Sequence, residues 1–525
     1  MIQNSDQFLG HPKGLYICFA TEMWERFSFY GMKYLLLLYL TKYHLFTDAM
    51  GLDVLGSYAA LVYSTPVIGG LLADRYLGMR KAVIFGGCLL VLGHLGMAVE
   101  GTPAQYINSE IIQDRHIVRD DGALQIFYFS IALIIVGVGF LKPNISTIVG
   151  KLYSENDPRR DSGFTIFYMG INIGAFIATL LCGYLGETLG WHYGFGAAGI
   201  GMLFGLAIFL YGQRYLQDHA EPNHPEQLKT LVFPGLIPGL NREWLIYLSG
   251  LLSVFGIWQL VQATHLVEWS LNGLAAIVAT GLLWFILTRC NSVERGRMAV
   301  LMVLTFSTVV FWALFEQTAA SMTLYADRVV DRQLFGLEVK ASQFGALNPM
   351  FIMLLAPLFA MLWTGLSKRK LEPSTPVKFS LGIIQAGLGF GVLVIGASFP
   401  DATGKVAALW LVLAYLLHTT GELCLSPVGL SAVTKLSVPR IVGLMMGTWF
   451  LATAYSEFMA AQIAKLAALE VSKLDVSKGE QLINITETLA NYTQLFSALF
   501  WIGCGAGVLL LVVSPYLKKH MHGIQ

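Results

Sequence analysis

Fourteen stretches of about twenty residues, each dominated by apolar side chains, follow one another along this 525-residue chain. A bilayer's hydrocarbon core takes about twenty helical residues to cross. In lipid, every backbone amide must find its partner inside the spanning structure, so such stretches fold as helices. They lie near 14–40, 54–74, 80–99, 122–149, 163–186, 192–213, 244–263, 270–289, 298–323, 343–364, 378–398, 406–431, 440–466 and 491–514. Only 13% of the residues are charged, about half the usual share of a soluble domain. The expected fold class is therefore all-α and integral to a membrane. A net charge of +1 leaves no broad basic surface, so no nucleic-acid partner is expected. The six cysteines (Cys18, Cys88, Cys182, Cys290, Cys424 and Cys504) are scattered without a CxxC pair. They indicate small apolar packing rather than a disulfide framework or a zinc site. The polar start, MIQNSDQFLGHPKG, has no apolar region of the signal-peptide kind.

An even number of spans puts both termini on one side. Of the 34 lysines and arginines, 21 fall in loops on that side, 10 on the opposite side, and Arg26, Lys33 and Lys142 within spans. Cytoplasmic loops carry the basic excess, so both termini are expected in the cytoplasm, on a plasma (inner) membrane. The longest connection on this side, Arg214 to Glu243, contains Pro222, Pro225, Pro234 and Pro238 and reads as a linker. The expected organisation is residues 1–213, a six-helix bundle; 214–297, the linker and two accessory helices; and 298–525, a second six-helix bundle. The accessory pair carries almost no interior charge, with Glu268 near its outer turn, and is expected to face lipid.

Against this apolar background, the first span carries Glu22, Glu25, Arg26, Phe29, Tyr30 and Lys33 at offsets 0, 3, 4, 7, 8 and 11. At helical spacing these form one stripe. A charge at the bilayer centre costs roughly 2.5–3.5 kcal/mol on insertion scales, so such groups face protein or water and mark a pathway.

Motifs in and beside the spans extend this reading. Gly69 and Gly70 permit close helix approach, and Asp74, Arg75, Gly78, Arg80 and Lys81 follow. That run resembles the signature loop of the major facilitator superfamily, in which an acidic residue and basic residues latch neighbouring helices. Glu22-Met-Trp-Glu25-Arg26-Phe27-Ser-Phe29-Tyr30-Gly31 resembles the ExxERFxYYG motif of one branch, the proton-dependent oligopeptide transporter family. Phe167-Tyr168-Met-Gly-Ile-Asn172-Ile-Gly174 resembles that family's FYxxINxG signature. Phe311-Trp312 with Phe315-Glu316-Gln317, and Gly421-Glu422-Leu-Cys-Leu-Ser426-Pro427-Val-Gly429-Leu430, resemble its spans 7 and 10. The extra helical pair is the pattern of prokaryotic members. The resemblance implies two pseudo-symmetric six-helix bundles around a cavity. It also implies proton-coupled import of di- and tripeptides by alternating access, with no enzymatic activity.

A zwitterionic peptide presents an ammonium, a carboxylate and amides. Here the first six spans carry the cations Arg26, Lys33 and Lys142, and the last six the anions Glu316 and Glu422. The peptide carboxylate is expected at the cations, where arginine can grip both oxygens, and its amine at Glu422 or Glu316. Asn172 and Asn348 suit peptide amides. Tyr30, Tyr63, Trp312 and Trp449 supply aromatic walls that tolerate varied side chains; Ser426 completes the expected substrate set. Proton coupling needs a carboxylate whose pKa changes with conformation, since burial raises it and a cation lowers it. Glu22 and Glu25, competing for Arg26 and Lys142, fit that need. The resemblance adds Glu316 as a second proton site and gate partner of Lys33, and pairs Lys142 with Glu422. Protons are the coupling ion, no cofactor or metal is expected, and the working unit is expected to be a monomer in the lipid bilayer.

Two positions depart from the family pattern. Lys33 stands where many members have arginine, and Phe29 replaces the first tyrosine of YYG. Gly56 occupies the turn that holds a proton-coupling histidine in animal relatives, so protonation would rest on carboxylates. The alternative within the family is transport of nitrate or another small organic anion. The intact Glu-x-x-Glu-Arg motif, Lys142 with Glu422, and the lack of a histidine in span 7 weigh against it. A membrane-embedded enzyme finds no HExxH or serine–histidine set. His418, His94 and His265 are expected to be packed or hydrogen-bonded. Gly194, Gly196 and Gly199 match GxGxxG inside a span, where helix packing explains them.

Overall fold

The computed structural model describes residues 7–108, 115–154, 157–222, 224–232, 240–334, 336–468 and 484–524. Pro234 and Pro238 of the linker lie outside them. Among the described residues, fourteen helices have the length of a span. They are α1 (Lys13–Lys42), α2 (Asp48–Leu72), α3 (Met79–Met97), α4 (Asp121–Lys151), α5 (Arg160–Thr188), α6 (Trp191–Gly212), α7 (Arg242–Gln262), α8 (Thr264–Arg289), α9 (Ser292–Phe315), α10 (Leu347–Lys368), α11 (Thr375–Gly396), α12 (Ala408–Leu436), α13 (Val442–Ala464) and α14 (Ile485–His520). Twelve are long and apolar enough to cross a membrane on length and composition alone; α1, which carries the charged stripe, and α13 fall outside that count.

The expected span 298–323 is not one helix. After Phe315 the chain tightens into a 3₁₀ turn, Glu316–Thr318, and Ala320 leaves the helical region (φ −111°, ψ −102°) before a separate short helix, Ser321–Arg328. Side chains hold the break: the Gln317 amide donates to Ala460 O at 2.9 Å, and Ser321 Oγ donates to Gln317 Oε1 at 2.6 Å. Neither glycine nor proline marks this site, so periodicity alone carries the helix through it.

The chain divides into two compact units, Met1–Leu45 with Leu61–Ala263, and Phe46–Ala60 with Thr264–Gln525. In the first unit α1 packs on α5 and α6, and α3 on α4 and α6. In the second α9 packs on α13 and α14, and α11 on α12 and α14. The two patterns are the same when each unit's six bundle helices are counted in order, which is the internal repeat expected of a transporter. Close backbone approach makes this packing possible at marked glycines. A Cβ on Gly69 would fall 2.1 Å from Gly139 O, and one on Gly174 2.1 Å from Met23 O.

The accessory helices expose most of their surface, as expected for lipid-facing elements. Ile246 and Val254 of α7 nevertheless join Ala132, Val136 and Phe140 of α4 in a buried cluster of the first unit. The units part at Ala263, between α7 and α8. The first turns of α2 belong to the second unit. There Asp48 takes two contacts of 2.6 Å from Arg328, and Asp53 is paired with Lys465.

Candidate functional site

In the first unit, three members of the stripe on α1 form one buried charge cluster. Glu25 is 0% exposed, and Glu22 and Arg26 each 4%. Arg26 Nε donates to Glu25 Oε2 at 2.5 Å and Nη2 to Glu25 Oε1 at 2.7 Å; Nε also lies 3.2 Å from Glu22 Oε1. Neighbours one apart on a helix do not usually face each other. Here the forked guanidinium wraps round to reach both carboxylates. Two carboxylates thus share one cation, and Glu22 Oε2 is buried with no hydrogen-bond partner among the described residues. One added proton neutralises the cluster, and that oxygen can receive it.

Lys142 of α4 lies within electrostatic reach of Glu22, and its Nζ sits 4.3 Å from the centre of the Tyr63 ring on α2. Phe29 has a role the sequence does not announce. It is buried, with Arg26 5.0 Å and Lys33 5.9 Å from its ring centre. An aromatic face attracts both cations, and Tyr30 meets the same ring edge-on at 5.2 Å. The missing hydroxyl therefore leaves a site that two stripe cations flank at offsets of three and four residues. Asn172 is buried but spends its amide on Tyr168 O of its own helix, at 3.0 Å, and its carbonyl oxygen remains to accept. Gly174, two residues on, lets α5 lie against α1 at Met23, next to Glu22.

In the second unit Glu422 on α12 is buried and is held by neutral groups. Asn348 Nδ2 of α10 donates to Glu422 Oε2 at 2.9 Å, with Thr419 Oγ1 3.1 Å from the same nitrogen. Among the described residues no cation of its own unit pairs with it. Trp312 stands in an aromatic row with Phe311 and Phe315, at ring separations of 5.3 and 5.1 Å. Glu316 opens the 3₁₀ turn that ends α9. Trp449 is buried against Gly429, and Ser426 is exposed.

The loop after α2 departs in part from expectation. Asp74 and Arg75 lie in a π-turn, Ala73–Leu77, and are exposed; neither has an ion-pair partner among the described residues. The latch is carried by Arg80, 2.5 Å from Glu221 and 2.7 Å from Gln213, and by Lys81, 2.6 Å from Glu243 at the start of α7. His418 is packed by Phe390 and bonded to Ala386 O, and His94 is buried. His265 instead lies exposed in the first turn of α8, a helix that buries little of its surface.

A family model described as the POT family matches residues 80–482. The chain is 39% identical to an uncharacterized transporter, YclF, of Bacillus subtilis, over 98% of this chain and 96% of the relative. It is 34% identical to a di-/tripeptide transporter of Lactococcus lactis, over 99% of this chain and 98% of the relative. A crystal structure of a peptide transporter, POT, in complex with sulfate superposes with a TM-score of 0.78 at 33% identity, covering 98% of this chain and 97% of that one. The fold is that of the major facilitator superfamily, two six-helix bundles with two added helices.

Proposed function

The chain belongs to the POT family, and from that membership we propose that this multi-pass membrane transporter, which is not an enzyme, imports di- and tripeptides in symport with protons. The observation that carries the proposal is the division of charge. Arg26 is fixed in the first unit with Lys142 and Lys33, while Glu422 is held ready in the second by Asn348 and Thr419. A peptide carboxylate suits the guanidinium, which offers paired donors. A peptide ammonium suits Glu422, whose remaining lone pairs call for a cation. The aromatic walls leave side-chain identity open.

The proton enters through the same cluster. With Glu22 and Glu25 both ionised, Arg26 is claimed from two sides. Protonating Glu22 frees part of the guanidinium for the peptide carboxylate, so proton and substrate favour one state. A ligand shifts an equilibrium only by its differential affinity for the two states; shared use of Arg26 supplies that difference. Glu316 serves as the second proton site and pairs with Lys33, and Lys142 pairs with Glu422, as the transporter alternates access. Protons are the only coupling agent, the monomer suffices, and both termini face the cytoplasm of an inner membrane.

Counterflow tests the substrate class. Proteoliposomes preloaded with unlabelled dialanine should concentrate labelled dialanine from outside, and trialanine should compete while nitrate should not. Competition by nitrate with none by trialanine would replace this reading with transport of small anions.

A further inference from the structure

We propose that a pocket at the ends of α11, α12 and α14, on the side of the C-terminus, binds the phosphate headgroup of an anionic phospholipid. The cavity, about 300 Å³, is lined by Lys378, Lys435, Lys518, Glu372, Ser374 and Thr375, among others. Among the described residues its lining carries three lysines and one carboxylate. Lys378 is buried, with Nζ 2.6 Å from Glu372 Oε1 and 4.7 Å from the centre of the Trp363 ring. The ring and the carboxylate hold that ammonium at the pocket wall. Ser374 is the N-cap of α11 yet makes no capping bond with its own side chain. Its hydroxyl and the Thr375 hydroxyl add donors at the pocket wall.

The setting selects a lipid over a soluble anion. Trp363 and Tyr516 are residues of the kind that sit at headgroup level. Leu509 and Val512, two to three turns above Lys518 and about two turns above it respectively, are 65% and 71% exposed, and Leu358 and Met361 of α10 are exposed as well. Acyl chains can follow these apolar faces while the phosphate enters the pocket. Lys368, Arg369 and Lys370 lie exposed just before it and strengthen the local field. Basic pockets between membrane helices on the cytoplasmic side hold anionic headgroups. The assignment to the cytoplasmic leaflet rests on the proposed orientation; binding itself does not.

Native mass spectrometry of the full-length protein in detergent, titrated with phosphatidylglycerol, tests this. Phosphatidylcholine is the neutral control and inorganic phosphate the competitor. Lys378 is left intact because it is buried; Lys435→Gln with Lys518→Gln alters exposed positions only. That pair should weaken the tightest phosphatidylglycerol binding about thirtyfold, ~2 kcal/mol at about 1.4 kcal/mol per factor of ten. Lys368→Gln with Lys370→Gln should change it less than about threefold. Equal weakening by both pairs would overturn the proposal in favour of a diffuse basic rim. Equal binding of phosphatidylcholine, or displacement of phosphatidylglycerol by millimolar phosphate, would overturn it too. No effect of the pocket pair would do the same.

Discussion

The two units solve the problem of a buried carboxylate in opposite ways. In the first, Glu22 and Glu25 sit on a guanidinium with contacts of 2.5 to 3.2 Å. In the second, Glu422 is held by an amide at 2.9 Å and, among the described residues, has no cation of its own unit beside it. A salt-bridged cluster is costly to break, because removing one partner strands a charge at a cost of about 3–5 kcal/mol. A carboxylate held by neutral donors is instead poised to accept a cation that arrives. The contrast is the basis of the proposal that the first site handles the proton and the peptide carboxylate, and the second the amine.

Arg26→Gln should break the comparison most severely. It strands Glu22 and Glu25, so the protein should lose about 3–5 kcal/mol of stability and essentially all gradient-driven uptake. Chemical denaturation and vesicle uptake check the two effects. Arg26→Lys should restore most of the stability and little of the transport, since an ammonium cannot offer two parallel donors. Glu316→Gln should abolish accumulation driven by protons while leaving peptide exchange intact; full uphill transport in that variant would remove Glu316 from coupling. Glu422→Gln should leave stability nearly unchanged, because the Asn348 contact survives. Uptake of peptides with a free amine should fall about ten- to a hundredfold, the value of a hydrogen bond to a charged group, and N-acetylated peptides should be unaffected. The smallest effect is expected at the loop latch. Lys81→Ala should cost no more than about 1 kcal/mol and less at high salt, since its pair with Glu243 is about one-quarter exposed on both sides.

The stripe on α1 was legible because helical periodicity and the cost of charge in lipid act on neighbours in sequence. So were the fourteen spans, apart from the break in the ninth, and the close approach at Gly69. Contacts between distant segments were not. Nothing in the local sequence says that Asn348 reaches Glu422, that Arg80 meets Glu221, or that Lys81 meets Glu243, 162 residues on. The break after Phe315 escaped for the same reason: Gln317 holds it through the carbonyl of Ala460, on another helix. Phe29 looked like a loss of one hydroxyl because its worth lies in a ring face, which only the fold sets between Arg26 and Lys33.

Uptake of labelled dialanine into proteoliposomes, with and without an inward proton gradient, tests proton-driven peptide import most directly. The account predicts accumulation above the external concentration under the gradient, and mere equilibration without it or after a protonophore. Equal accumulation in both conditions, or none under the gradient, would contradict it.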